Sequence, residues 1–281
     1  MIENKPFILK GETGKDILLD VHYKANKSPK PVVIFCHGYK GFKDWGAWHL
    51  MANAFAKHNF TFVKFNFSHN GGTINQPIDF PDLEAFGNNN YTKELTDLDT
   101  VIHWVSNNNP LNSEINKAKI TLLGHSRGGG IVSIKASEDA RITSLITLAG
   151  VSDYKSRFPS GDALTHWKNN NVYYVKNGRT KQNMPHFYQF YKNFINHQNR
   201  LTISTAVKKI NIPHMVIHGD ADTSVVVQEA HIQHQWNPKS VLKIIPEANH
   251  VFGASHPWQS QELPLHLNQV VNSCIAFLNH K

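Results

Sequence analysis

Apolar and polar residues alternate along this chain in blocks that predict strands and helices in turn. Runs rich in β-branched and aromatic residues, typical of buried strands, occupy residues 16–24, 31–37, 60–67, 119–124, 142–149, 213–219 and 240–245. Amphipathic stretches that predict helices lie between most of them, at about residues 45–58, 91–106, 129–140, 225–235 and 263–279. Apolar strands separated by helices indicate an α/β protein with a mostly parallel sheet and helices on both faces.

The first two predicted strands, 16–24 and 31–37, have no helix between them. So short a connection favours an antiparallel hairpin at one edge of the sheet. The length of 281 residues is enough for one large core. We therefore expect residues 1–150 and 208–281 to form a single core domain.

The segment 151–207 interrupts this alternation. It is rich in aromatic residues, and Asn177-Gly178, a strong hairpin signal, stands between strand-like stretches at 172–176 and 180–183. It is too long for a plain loop between two core strands. Because it leaves the strand after the 119–124 run, we expect it to form a cap or lid insertion over a functional site rather than a peripheral packing element.

A G-x-S-x-G pentapeptide at residues 124–128 stands between a predicted strand and a predicted helix. Strand, tight turn and helix in that order are the context of a nucleophile elbow, in which Ser126 would project its hydroxyl from a strained turn. A serine hydroxyl becomes a good nucleophile only when a histidine takes its proton and a carboxylate orients that histidine. The rest of the chain must therefore supply both groups.

Candidates for both partners follow later strands. Asp220 and Asp222 come directly after the 213–219 strand, and His250 lies in the loop after the 240–245 strand. Open α/β sheets build their sites beyond the carboxyl ends of their strands, so these side chains are expected at the same edge as Ser126.

Taken together, five motifs resemble the α/β-hydrolase superfamily over nearly the whole chain, in its esterase, dienelactone-hydrolase-like and serine-peptidase-like (prolyl-oligopeptidase-type) branch. They are the pentapeptide, an H-G loop at 37–41, an F-N-F strand end at 65–67, an H-G-x-x-D motif at 218–222 and an A-N-H motif at 248–250. The resemblance implies an α/β-hydrolase fold. It also implies Asp222 rather than Asp220 as the acid, because the family's carboxylate stands three residues after the glycine.

The resemblance further implies that Ser126 is the nucleophile, His250 the general base and Asp222 its orienting acid. The backbone N–H groups of Tyr39 and Arg127 correspond to the family's oxyanion hole. Losing one such donor costs ~10²–10³ in turnover, so two are expected.

The sequence leaves two roles open for the side chains of Arg127 and Tyr39. The Arg127 guanidinium would either bind an acidic substrate group or the cap, or form a salt bridge that holds neighbouring loops. Tyr39 would either line an acyl pocket or cover the sheet. The candidates for substrate contacts are the aromatic residues Tyr39, Trp167, Tyr173, Phe187 and Phe252.

Composition argues against several other classes of protein. The net charge is +8, but the basic residues are scattered, whereas a nucleic-acid-binding surface is clustered. No apolar run has the length of a membrane span or the form of a signal peptide, and no metal-ligand spacing or phosphate-binding glycine motif is present. Cys36 and Cys274 are interpreted as buried hydrophobes. We expect a cytoplasmic monomer or homodimer with a small-molecule ester substrate, no cofactor, and no affinity for nucleic acid or membranes.

The expected activity is that of a serine carboxylesterase that cleaves small or aromatic esters, cinnamoyl and feruloyl esters among them, through an acyl-enzyme. A prolyl-oligopeptidase-type peptidase is an alternative, but only a short segment precedes the predicted core, whereas those enzymes usually carry a large N-terminal propeller. A thioesterase or acyltransferase would use the same residues. A non-catalytic binding protein on this scaffold is disfavoured, because Gly38 and all three triad candidates are present.

Overall fold

The computed structural model describes residues 1–280, apart from the side chain of Asn108. Eight strands form one sheet that is parallel except at the β1 edge, which confirms the predicted fold class. Across the sheet the strands are β1 (Ile2–Lys10), β2 (Asp16–Lys24), β4 (Thr61–Phe65), β3 (Lys30–Cys36), β5 (Ile115–His125), β6 (Ile142–Leu148), β9 (His214–Gly219) and β10 (Val241–Ile245).

Helices cover both faces of this sheet, as the apolar strands require. Val33 and Phe35 of β3 join one hydrophobic cluster, while Val32 and Ile34 join another on the opposite face. The first face carries α1 (Trp48–Lys57) and α9 (Leu265–Asn279), and the second carries α3 (Tyr91–His103), α4 (Arg127–Glu138) and α7 (Ile203–Lys209). The remaining helices outside the 151–207 segment are α2 (Leu83–Gly87), α8 (Gln228–Trp236) and a π-helical turn at Trp104–Asn108 that continues α3. Within residues 1–280, no helix is both apolar enough and long enough to cross a membrane.

The predicted edge hairpin between the first two predicted strands is wrong. β2 pairs antiparallel with β4, while β3 lies between β4 and β5, so β2 and β3 are not neighbours. The hairpin at this edge joins β2 to β1, a strand that the sequence did not predict. An edge strand packs little apolar surface, and β1 accordingly carries Glu3, Lys5 and Pro6, a composition that hides it from a search for hydrophobic runs.

The segment 151–207 has secondary structure of its own. A short 3₁₀ turn precedes α5 (Gly161–Asn170), then an antiparallel hairpin of β7 (Val172–Lys176) and β8 (Asn183–Phe187), and then α6 (Gln189–Asn196) and α7. The hairpin is confirmed, but its second strand begins at Asn183 rather than at 180. The Asn177 side chain accepts hydrogen bonds from the Arg179 and Thr180 N–H groups, which widens the turn into a loop over residues 177–182.

Candidate active site

Ser126 lies on the turn between β5 and α4, at the carboxyl edge of the sheet. Its backbone has φ 56° and ψ −120°, a conformation that costs free energy in a residue with a side chain. Two glycines make this turn possible. A Cβ on Gly124 would lie 2.3 Å from the Gly128 carbonyl oxygen, and a Cβ on Gly128 would lie 2.4 Å from that of Cys36. The turn therefore packs tightly against β3 and holds the serine in place.

His250 contacts Ser126 from the loop after β10. Its Nε2 lies 3.0 Å from Ser126 Oγ, and its Nδ1 lies 2.7 Å from Asp222 Oδ2. A carboxylate accepts but does not donate, so Nδ1 carries the proton and Nε2 is left free to accept the serine hydroxyl. This is the tautomer that a general base for Ser126 requires.

The side chain of Asp222 is fully buried, and several hydrogen-bond donors surround its carboxylate. Oδ1 accepts the N–H groups of Ser224 and Val225 at 2.8 and 2.9 Å, and His218 Nε2 lies 3.3 Å from Oδ2. Burial alone would raise the pKa of Asp222, but the donors of His218, His250 and Val225 hold the pKa well below its usual value. The group is therefore a carboxylate at neutral pH.

Asp220 lies outside this chain of hydrogen bonds. Its Oδ1 accepts the N–H of Glu247 at 2.6 Å, on the loop that also carries His250. Asp220 thus joins the loop that carries Asp222 to the loop that carries His250.

Two buried histidines hold the backbone around the serine. His37 donates through Nδ1 to the Gly38 carbonyl at 2.9 Å, and His125 donates through Nε2 to the His250 carbonyl at 2.8 Å. Burial lowers the pKa of His37 to about 4 and that of His125 to about 3, so both are neutral at physiological pH. Each fixes one of the loops that meet at Ser126.

The two backbone donors predicted for an oxyanion hole belong to the loop after β3, which carries Tyr39, and to the start of α4, which carries Arg127. In the described part of the chain, no protein acceptor takes the N–H of Tyr39 or of Arg127. The Tyr154 hydroxyl donates to the Arg127 carbonyl at 2.9 Å and so holds the peptide that follows Arg127. Both N–H groups remain able to bind an oxygen of a substrate.

The Arg127 side chain forms the salt bridge that was one of its two interpretations. Its Nε donates to Glu94 of α3 at 3.0 Å, and its Nη2 also lies 3.0 Å from that carboxylate. The guanidinium stacks over the rings of Tyr91 and Phe190, at 4.4 and 4.9 Å from their centroids. Arg127 therefore joins α4, α3 and α6.

A cleft of about 470 Å³ opens at Ser126 and His250. Among the predicted substrate contacts, Tyr39 and Tyr173 line it. Residues of the 151–207 segment form much of its remaining wall, namely Val151, Tyr154, Arg157, Phe158, Val175, His186 and Phe190.

The other three aromatic candidates do not line this cleft. Trp167 is wholly buried, and its indole N–H donates to the His186 carbonyl at 2.7 Å. Phe252 is equally buried, in the cluster of α1 and α9. The Phe187 ring packs on α2, so closely that a Cβ on Gly87 would lie 2.8 Å from it. Aromatic composition could not separate rings that face the cleft from rings that fill the core.

Sequence reasoning missed His186 and Lys40, which both line the cleft. His186 of β8 donates through Nδ1 to the Met184 carbonyl, so its Nε2 accepts the Tyr39 hydroxyl at 2.9 Å. No local motif marks His186, because its partner is 147 residues away. Lys40 belongs to the H-G loop itself, and its place next to Tyr39 in that motif could have indicated that it lies at the cleft.

Comparisons with known proteins agree with this architecture. Residues 31–177 match the model of the alpha/beta hydrolase fold family. Est1E from Butyrivibrio proteoclasticus, solved with ferulic acid bound, has a TM-score of 0.73 at 15% identity, with 98% of each chain covered. The alpha/beta hydrolase GrgF from a Penicillium species has a TM-score of 0.71 at 15% identity, over 99% of this chain and 98% of that one.

The esterase domain of a Rhodothermus marinus protein is similar as well, with a TM-score of 0.66, 15% identity and coverage of 99% of this chain and 98% of that one. A search of curated proteins found no match. At such identities the solved structures indicate the fold alone, while the family model spans more than half of the chain. Together with the strand order and the elbow after β5, the match shows that this chain belongs to the α/β-hydrolase fold family.

Proposed function

We propose that this protein is a serine carboxylesterase that transfers an acyl group to water through Ser126. The observation that carries the proposal is the continuous chain of hydrogen bonds from Ser126 Oγ through His250 to Asp222. It ends on a carboxylate held ionised by buried donors and begins on a serine in a strained turn. No residue would have to move for His250 to accept the serine proton.

In the proposed reaction, Ser126 Oγ attacks the ester carbonyl carbon while its proton passes to His250 Nε2. The carbonyl oxygen becomes an oxyanion and accepts the N–H groups of Tyr39 and Arg127. As the ester bond breaks, His250 returns the proton to the departing alcohol and leaves an acyl-enzyme. Water then loses a proton to His250, attacks the acyl carbon, and releases the acid while Ser126 regains its proton. Asp222 stabilises the imidazolium at each stage.

The walls of the cleft favour small or aromatic esters, feruloyl and cinnamoyl esters among them. Tyr39, Tyr91, Tyr173, Phe158 and Phe190 present rings around the serine. The ferulic acid bound to the similar Est1E fold is consistent with such a substrate. We also propose that the 151–207 segment acts as a cap, since it supplies much of the wall.

The test is a panel of para-nitrophenyl esters, feruloyl esters and aminoacyl anilides, assayed with the wild type and Ser126→Ala. We expect ester turnover that Ser126→Ala reduces by ~10⁵–10⁶, and labelling of Ser126 by a fluorophosphonate probe. Turnover that persists in Ser126→Ala would refute the mechanism. Turnover of anilides alone would instead identify a peptidase, and failure of the probe to label Ser126 would favour a binding protein.

A further inference from the structure

Lys40 is a basic residue that lines the cleft of the proposed nucleophile. It belongs to a turn over residues 38–41 that is closed by a hydrogen bond of 3.0 Å from the Gly41 N–H to the Gly38 carbonyl. This turn packs on the serine, since a Cβ on Gly38 would lie 2.9 Å from Ser126 Cβ. Lys40 Nζ lies 4.9 Å from the centroid of the Tyr39 ring, and Lys40 lines the same cleft as Ser126 and His250.

Lys40 differs from the other two permanent cations of the cleft in having no carboxylate partner. Arg127 is paired with Glu94, and Arg157 is paired with Glu229. Among residues 1–280, no carboxylate forms an ion pair with Lys40, and no acidic side chain lines this cleft. The cleft therefore has a positive charge that the protein does not neutralise.

The backbone at Lys40 is in a region that favours glycine. Its φ is 53°, at the third position of the turn, where glycine or asparagine usually stands. A long side chain is thus kept in an unfavourable conformation next to the reacting groups, and such outliers cluster at ligand-binding sites. Turn geometry alone gives no reason for lysine at this position.

The Lys40 ammonium is also partly removed from water. The residue is half-buried, and this burial lowers the pKa of Lys40. The same charge contributes, after burial and Arg127, to lowering the pKa of His186 across the cleft. A half-desolvated cation gains more from an anionic partner than a fully exposed one does.

We propose that this cleft takes esters that carry a carboxylate, and that the Lys40 ammonium binds that carboxylate beside the scissile bond. The proposal rests on the proposed function and names the substrate class of the same site. A carboxylate on the acyl or alcohol part would neutralise Lys40 while the neighbouring Tyr39 N–H binds the oxyanion. Lys40 would then determine specificity, without a part in the bond-breaking steps.

The first test compares matched esters with and without the charge. The acyl pair is para-nitrophenyl hydrogen adipate and para-nitrophenyl hexanoate, and the alcohol pair is para-acetoxybenzoate and its methyl ester. For each pair, the ratio of kcat/KM for the anionic to the neutral ester is measured in the wild type, Lys40→Met and Lys40→Arg. Intrinsic reactivity cancels when the ratios of two variants are compared.

We expect Lys40→Met to lower that ratio by about tenfold for at least one pair, mainly through KM, and Lys40→Arg to retain it. Lys119→Met is the matched control, because it removes the same charge from an exposed lysine of β5, several residues before Ser126. Ratios that are equal in the wild type and Lys40→Met for both pairs would overturn the proposal, as would an equal loss in Lys119→Met.

A binding measurement separates this proposal from the proposed function. Calorimetry with Ser126→Ala and with Ser126→Ala/Lys40→Met, using para-nitrophenyl hydrogen adipate and para-acetoxybenzoate as ligands, requires no turnover. We expect the double variant to bind one of them about tenfold more weakly. Equal Kd values would overturn the carboxylate site even if the protein hydrolyses neutral esters. A Lys40-dependent Kd without any ester turnover would retain the site and refute the esterase.

Discussion

Asp222 and Asp220 stand two residues apart and offer a matched pair of substitutions. Asp222→Asn would place an amide where His250 Nδ1 now donates, so the imidazole would favour its other tautomer and lose the ability to accept the Ser126 proton. We expect kcat to fall by about 10⁴. Asp220→Asn changes an exposed group that bonds the neighbouring loop and should leave kcat near that of the wild type. Equal kcat values for both variants in an ester assay would contradict the assignment of Asp222.

Asp97 on α3 is a buried carboxyl that the proposed mechanism does not use. Burial raises the pKa of Asp97 to about 7, although the N–H and hydroxyl of Ser68 both donate to its Oδ2. The pKa of an aspartate in the unfolded chain is about 4. At pH values between this pKa and the native one, Asp97 holds a proton in the folded state that it has lost in the unfolded state. The free energy of unfolding therefore falls as pH rises through that window and levels off above it.

Asp97→Asn should remove this contribution. We expect the wild type to lose about 3 kcal/mol more than Asp97→Asn between about pH 4.5 and about pH 8. Urea denaturation at the two pH values measures the difference, and comparison with the variant cancels the histidines that titrate over the same range. Parallel pH dependences for the two proteins would show that Asp97 does not carry the effect.

Local motifs explain why the candidate triad could be predicted from sequence. Ser126, Asp222 and His250 each follow a strand by a few residues, and parallel strands bring their carboxyl ends to one edge. The roles of Glu94 and His186 could not be predicted in this way. Each acts on a residue more than thirty positions away, and only packing brings the partners together.

A hydrogen bond from the Tyr39 hydroxyl to His186 Nε2 joins the loop after β3 to β8. Tyr39→Phe would leave that buried nitrogen without a donor and release the loop that carries a proposed oxyanion N–H. We expect a loss of about 1 kcal/mol in the free energy of unfolding and a fall in kcat of about tenfold.

Tyr173→Phe is the control for this prediction. Tyr173 stacks on the same histidine at 4.8 Å between centroids, but no hydrogen bond of its hydroxyl is present within residues 1–280. Its removal should leave kcat and stability close to those of the wild type. If kcat falls equally in both variants, the effect does not come from the Tyr39–His186 hydrogen bond, because both substitutions keep the rings and only one removes that bond.

Strand order was harder to predict than strand content. Seven of the eight strands of the sheet carry apolar runs that locate them to within a few residues, but β1 does not. Adjacency of β2 and β3 was inferred from their short connection alone. β3 is buried on both faces, whereas β2 is next to the edge of the sheet. β2 pairs with β4, and β3 pairs with β4 and β5. Because β4 and β5 come later in the chain, the short connection between β2 and β3 did not indicate these partners.

The 151–207 segment is continuous with the body of the molecule rather than hinged upon it. Trp167, Phe190 and Phe194 belong to the same hydrophobic cluster as Leu95 of α3 and Ile131 of α4. Tyr91 stacks on Tyr154 at 3.8 Å between centroids, which ties the start of the segment to α3. A cap anchored in this way would shape the cleft without opening as an independent unit.

Unfolding experiments can distinguish an anchored cap from an independent one. Trp167→Ala removes a wholly buried indole and should lower the free energy of unfolding by about 3–5 kcal/mol, whereas Tyr174→Ala, at an exposed ring of β7, should change it by less than about 0.5 kcal/mol. If the cap is anchored, Trp167→Ala should lower the stability of the whole molecule, which should still unfold in a single transition, because the cap and the core share one hydrophobic cluster. Hydrogen exchange followed by mass spectrometry would then show peptides from α5 and α6 and peptides from α4 exchanging in the same event. If peptides from α5 and α6 exchanged early while peptides from α4 exchanged at the wild-type rate, the segment would instead be a lid that unfolds separately.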